Sequence, residues 1–192
     1  MLAPWRSPLA HALHRNRSLV HARYLQLATV RPDGRPANRT VVFRGFLEPT
    51  NQLKITTDTR SEKATQIALC PWGEICWYFP KTREQLRLLG RLTLVDAHHP
   101  DTALTKARQI QWHDSSDASR VQFEWATPGQ PRDPADPFSP PAPDPDDPLP
   151  NFCLVLFDPI QVDHLELRGE PQTRSRYTLD EQDTWQVESV NP

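Results

Sequence analysis

The chain has 192 residues and carries 22 Lys and Arg against 24 Asp and Glu, a formal net charge of −2, so nothing in its charge points to nucleic acid as a partner. Six glycines, with neither a GxGxxG fingerprint nor a P-loop signature, exclude the two common glycine-rich nucleotide cradles. The length is that of a single domain, 1–192, whose core needs no disulfide or metal staple.

The elements follow in chain order. An acid-free, Arg-rich start (Arg6, Arg15, Arg17, Arg23) has the look of a transit peptide. It reads better as a helix over about 7–21, opened by Ser7 and Pro8, with Leu9, Ala12, Leu13 and Val20 on one face. Tyr24 to Val30 and Asn38 to Phe46 form a hairpin around the turn Arg31-Pro32-Asp33-Gly34. Leu53 to Thr57 is a third strand, and Ser61 caps a helix that runs toward Leu69 and is stopped by Pro71. Glu74 to Phe79 and Gln85 to Val95 are two more strands, the second with Gly90 at a bulge or bend.

From Asp101 to Trp125 the pattern is helical, broken near Asp114. Ten of the 21 prolines then fall between Pro128 and Pro150, among five aspartates and one arginine, so about 128–150 is an insert without regular structure. We place it over a pocket mouth or a dimer groove, because it separates the helical segment from the last strands. Phe152 to Phe157, Gln161 to Leu167 and Trp185 to Val190 complete the chain, with Gly169 in a connecting turn. About seven short strands with hairpin turns predict a mainly β protein with peripheral helices, a closed or partly closed barrel rather than a parallel sheet. Cys70, Cys76 and Cys153 lie in apolar runs and read as small buried hydrophobes of a cytoplasmic protein. No apolar stretch approaches the ~18 residues of a membrane span.

Two segments carry chemistry. In Asn38-Arg39-Thr40-Val41-Val42-Phe43-Arg44, two guanidinium groups lie five positions apart, roughly 16 Å along an extended strand. That spacing suits the two ends of a mononucleotide, although the parity of a flat strand sends the two side chains to opposite faces. Two edge-strand arginines in surface salt bridges is the competing reading. The stretch Thr56-Thr57-Asp58-Thr59-Arg60-Ser61-Glu62-Lys63 leads from a strand into a helix start dense in hydroxyls and cations. It fits either a phosphate cradle or a plain cap. His98-His99 lacks a second ligand pair and His113-Asp114 lacks a nucleophile elbow, so neither a metal site nor a hydrolase is expected.

The order Leu27-Ala28-Thr29-Val30, Asp33-Gly34, Arg39-Thr40-Val41-Val42 to Arg44, Ser61 with Lys63, Gln85 before Gly90, and a closing Trp185 and Pro192 resembles the pyridoxine/pyridoxamine 5'-phosphate oxidase superfamily of FMN-binding split β-barrels. The likeness is greatest to its oxidase-related branch. The resemblance implies a homodimer with FMN at the subunit interface. Thr40, Val41, Val42 and Thr56 would line the cofactor, Arg39 and Lys63 would hold its phosphate, and Thr57 and Ser61 would donate hydrogen bonds. Arg60 would replace a family arginine that aligns with Glu62. Arg44 would face the ring, Gln85 would reach it from the partner, Arg120 falls near a cofactor-touching helical stretch, and Arg176 matches a ring-side arginine.

The departures are as informative. Leu165 stands where the oxidase has a ring-contacting tryptophan, Gln172 and Arg174 replace a late arginine and histidine, and no tyrosine lies between Tyr78 and Tyr177. The resemblance therefore implies an FMN-dependent oxidoreductase for a small molecule with an altered substrate pocket, and assigns no catalytic residue. A non-catalytic module that holds FMN or haem for storage, sensing or transfer is the alternative.

Overall fold

The computed structural model describes residues 2–136 and 138–192. The first helix, α1 (Arg6–Asn16), begins after Trp5 rather than at Ser7 and ends five residues before the predicted boundary. Its stop has a local cause: Asn16 turns its side-chain amide back to Ala12 O (2.8 Å) and accepts from Lys81 N (2.9 Å), which fixes the end against a distant loop. Val20, expected on the buried face, is 86% exposed in a 3-10 turn over Val20–Arg23.

Eight strands then form one antiparallel sheet: β1 (Tyr24–Val30), β2 (Pro36–Val42), β3 (Leu53–Asp58), β4 (Trp72–Phe79), β5 (Glu84–Val95), β6 (Phe152–Glu166), β7 (Thr173–Leu179) and β8 (Trp185–Val190). The order is β2-β1-β4-β5-β6-β7-β8, and β3 pairs with the first half of β6. The seam closes between β2 and β3. Beyond Val42 the chain leaves β1: Arg44 N donates to Lys54 O and Lys54 N to Gly45 O (both 2.8 Å), and Phe46 bridges Leu53. Gly45 makes this corner with φ +106°, a conformation that side chains resist. The closed circuit is thus β1-β2-β3-β6-β5-β4, with β7 and β8 extending from the second half of β6.

Alternation along the strands fills this barrel. Leu25, Leu27, Ile55, Ile75, Trp77, Phe79, Leu86, Leu88, Val155 and Phe157 are buried. Trp77 lies between Phe43 and Phe79, with centroids 5.0 and 5.1 Å away, and donates its indole N–H to Ala22 O (3.0 Å).

Strand β6 runs unbroken through Asp158 and Pro159, where the sequence predicts two strands. At that point the β5–β6 register shifts between Leu89 and Gly90, so the proline sits at an irregularity where its missing N–H breaks no ladder. Gly90 is obligatory there, since a Cβ would stand 2.3 Å from Asp158 O.

Helix α2 (Glu62–Leu69) follows β3, while α3 (Thr102–His113) and the short α4 (Asp117–Arg120) follow β5. The proline insert has no regular structure among its described residues. It is a strap laid along α3: Trp112 Nε1 donates to Asp144 O (2.8 Å), Arg108 Nη2 to Leu149 O (2.6 Å), and His113 Nδ1 lies 3.0 Å from Asp146.

Candidate functional site

Where β2 leaves the sheet, a cleft of about 410 Å³ opens. One wall is β2 and its corner (Thr40, Val41, Val42, Arg44), the floor is the end of β3 and the start of α2 (Thr56, Thr57, Asp58, Ser61, Lys63), and the far wall is Ser115, Ser119, Gln122, Phe123, Trp125 and Pro128. The structure therefore brings together eight of the residues singled out in the sequence. The first residues of the insert border the cleft at Pro128, while Asp144 to Leu149 lie along α3.

The floor is built by helix capping. Ser61 adopts an extended backbone (φ −78°, ψ 148°), and its hydroxyl donates to Asp58 O (2.7 Å) and accepts from Ala64 N (3.4 Å). Thr57 Oγ1 lies 3.2 Å from Ser61 Oγ and accepts from Lys63 Nζ at 2.5 Å. Two hydroxyls, an ammonium and the free N–H groups of the first turn of α2 thus converge on one point.

Electrostatically the cleft is short of anions. Burial, with Arg39 close by, pushes the Lys63 ammonium down to about 8, and among the described residues the only hydrogen-bond partner of its Nζ is the Thr57 hydroxyl. Burial, followed by Arg23, also lowers Arg44, whose Nε is buried without a hydrogen-bond partner among the described residues. The one carboxylate in the lining, Asp58, is already committed. Burial alone would raise it, yet hydrogen bonds from Arg60 and Asn151 hold it below the usual carboxylate range.

Other expected residues lie elsewhere. The strand parity is obeyed: Arg39 is on the opposite side of β2 from Thr40, and its guanidinium donates to Gln66 Oε1 (2.9 Å), Thr29 Oγ1 (2.5 Å) and Leu27 O (3.3 Å). It backs the cleft as a second positive charge without lining it. Arg60 binds Asp58 and donates to the Phe123 and Trp125 carbonyls (3.2 and 3.1 Å), and Asn151 Nδ2 donates to both Asp58 (2.9 Å) and Phe123 O (2.8 Å). Arg60 thus fastens the far wall to the floor.

Arg120 is likewise outside the lining. Buried, it donates to the carbonyls of Trp112 (3.3 Å), His113 (3.2 Å) and Ser115 and to the Asp117 carboxylate, closing the C-terminal end of α3. Its neighbours Ser115, Ser119 and Gln122 line the cleft in its place. Their i, i+4, i+7 spacing across the predicted helix break was the available signal.

Gln85 and Arg176 share the outward sheet face with Thr40 but do not line the cleft. The register runs Thr40, Gln26, Cys76, Arg87, Asp163, Arg176 across successive strands. Five spacings of ~4.8 Å put Arg176 roughly 24 Å from Thr40 along the sheet. Arg176 Nε is buried and has no hydrogen-bond partner among the described residues.

A closed barrel with a flanking ribbon and a cation-lined cleft at its seam defines a split barrel of the FMN-binding kind. A family model described as pyridoxamine 5'-phosphate oxidase, FMN-binding domain, matches residues 2–96. Over 194 residues the chain is 40% identical to pyridoxine/pyridoxamine 5'-phosphate oxidase 2 of Arabidopsis thaliana, spanning 100% of this chain and 98% of that relative. Among solved structures, a pyridoxamine 5'-phosphate oxidase-related, FMN binding protein of Nostoc punctiforme superposes with a TM-score of 0.96 at 61% identity, covering 100% of both chains. PhzG from Burkholderia lata, solved with tetrahydrophenazine-1-carboxylic acid, has a TM-score of 0.74 over 98% of this chain and 90% of its own. At 18% identity it shows the fold alone. The chain belongs to the pyridoxamine 5'-phosphate oxidase family. Among the described residues no helix is long and apolar enough to cross a membrane.

Proposed function

We propose that this chain binds FMN with its phosphate on the floor of the cleft and acts as a flavin-dependent oxidoreductase on a small organic substrate. The observation that carries the reading is Lys63, a half-buried ammonium beside Arg39 whose sole hydrogen-bond partner among the described residues is a hydroxyl. Such a group is stabilised by an anion, and the Ser61 and Thr57 hydroxyls with the first-turn N–H groups of α2 supply the remaining contacts a phosphate needs. Arg44, with its unpartnered Nε, serves the ring end, where a cation favours the reduced, anionic form of the flavin. Bound there, FMN supplies two-electron chemistry at its ring.

The same reading makes the working unit a homodimer. Gln85 and Arg176, which the family resemblance puts at the flavin ring, stand on the outward face of the sheet away from their own cleft, and this supports a second copy as the one whose cleft they would reach. The name of the Arabidopsis relative makes pyridoxine and pyridoxamine 5'-phosphate the first substrates to assay.

The test is the visible spectrum of the purified protein, mass analysis of what heat releases, and titration of the apoprotein with FMN. One FMN per chain, reducible by a nicotinamide nucleotide and reoxidised with a substrate, is the expected result. A protein that ignores FMN overturns the assignment. Stoichiometric FMN without turnover of any donor would favour a storage or transfer module instead.

A further inference from the structure

Away from the cleft, three metal-ligating side chains converge where β5 begins and β6 ends. Glu84 and Glu166 are direct cross-strand partners, and His164, two residues before Glu166, pairs with Leu86. Period-two alternation puts Glu84, His164 and Glu166 on the inward face shared with Leu86 and Leu88, opposite the face that carries Gln85 and Leu165. His164 Nε2 lies 3.0 Å from Glu84 Oε2, with side chains 6% and 8% exposed, and one donor atom from each of the three residues lies within 4.8 Å of the others.

A buried imidazole–carboxylate pair accounts for Glu84 alone. It leaves Glu166 as a second carboxylate directly across the ladder from the first, an arrangement that like charges disfavour. Among the described residues no lysine or arginine forms an ion pair with Glu166. The nearby Arg168 guanidinium donates to Lys81 O (2.6 Å). What the cluster lacks is a cation between its two carboxylates.

We propose that Glu84, His164 and Glu166 form a binding site for a divalent first-row transition ion, with Zn²⁺ the best match. One imidazole nitrogen with two carboxylate oxygens suits this class. Mg²⁺ and Ca²⁺ prefer oxygen alone, and Cu⁺ prefers sulfur. Tetrahedral bonds of about 2.0–2.1 Å put donor atoms about 3.3 Å apart. The Glu84–His164 separation is already close to that value, and Glu166, at the solvent-exposed end of the same face, has a carboxylate oxygen within 4.8 Å of both and completes the set by a change of rotamer. Three protein ligands leave a fourth position for water. The ligands come from two strands, which explains why no His or Cys spacing announced them in the sequence. The site stands on the other side of the β5–β6 pair from Gln85, so its test does not depend on flavin.

The experiment is calorimetric titration of chelator-treated, full-length protein with Zn²⁺, repeated with Mg²⁺ and on Glu166→Gln, followed by zinc-edge X-ray absorption of the loaded protein. The expected result is one Zn²⁺ per chain, a raised melting temperature, no Mg²⁺ uptake, a nitrogen and oxygen first shell, and at least tenfold weaker binding in Glu166→Gln. Glu166 is exposed, so that variant keeps its fold, which its unchanged metal-free melting temperature will report. Absent stoichiometric uptake, equal affinity in Glu166→Gln, or sulfur in the first shell each overturns the site.

Discussion

Lys63→Met removes one charge from the cleft and keeps most of the side-chain volume. In the free protein the ammonium is held at about 8 against an ordinary 10.5, a difference on the order of 3 kcal/mol against its charged form. A phosphate dianion on the floor relieves that penalty. Deleting the charge should therefore weaken FMN by one charge-assisted contact, about 1.5–3 kcal/mol or roughly 10- to 150-fold in Kd.

The pH dependence has a definite sign. Because the folded value is depressed, the free protein gains stability as pH rises from about 8 to 10.5, where the unfolded chain still holds the proton. Affinity for the dianion moves the other way. It is complete below about 8 and declines above it by up to about tenfold per pH unit as the free ammonium deprotonates. Titrations of apoprotein followed by flavin fluorescence at pH 7, 8 and 9 measure the affinity, thermal melts of the free protein between pH 8 and 10.5 measure the stability, and Lys63→Met should lack both trends. Wild-type affinity in the variant, or the same pH profile in both proteins, would refute the assignment of the phosphate to this floor.

Arg44→Ala should weaken FMN about 10- to 100-fold with little loss of stability, because Arg44 Nε has no partner to lose; fluorescence titration and a thermal melt read the two effects separately. Arg120→Ala strips the His113 and Ser115 carbonyls at the end of α3 of their donor, while Trp112 O keeps the Ser115 N–H (3.0 Å), and urea unfolding should show a loss of about 2–4 kcal/mol, with FMN affinity of the folded fraction nearly unchanged. At Asp163, burial would raise the carboxyl, but Arg174 and then Arg87 hold it below the usual range, so its contribution is complete above the ordinary value and is lost as pH falls through the lower folded one. Arg174→Ala should move the acid-unfolding midpoint, followed by circular dichroism, to higher pH.

The barrel was legible where one face of a strand is buried. Along β4 and β5 the apolar positions alternate, and Ile75, Trp77 and Phe79 with Leu86 and Leu88 fall inward as the pattern requires. Strand β7, Thr-Arg-Ser-Arg-Tyr-Thr-Leu, does not stand out in the sequence because Tyr177 is its only buried residue, and its place is set by hydrogen bonds to β6 and β8. In the cleft, the hydroxyl-rich start of α2 could be read because capping is a local property. The destinations of Arg39, Arg60 and Arg120 could not, because each guanidinium answers to carbonyls or side chains that only the fold brings near.

The strap along α3 has an evolutionary consequence. Helix α3 grips it at Asp144 O and Leu149 O, main-chain atoms that every residue possesses, so most side chains between those two points are free to change without altering its course. The number of residues is not free in the same way, because one more or one fewer shifts both carbonyls away from fixed donors. Descendants of this chain should therefore vary widely in the composition of that stretch while its length is kept.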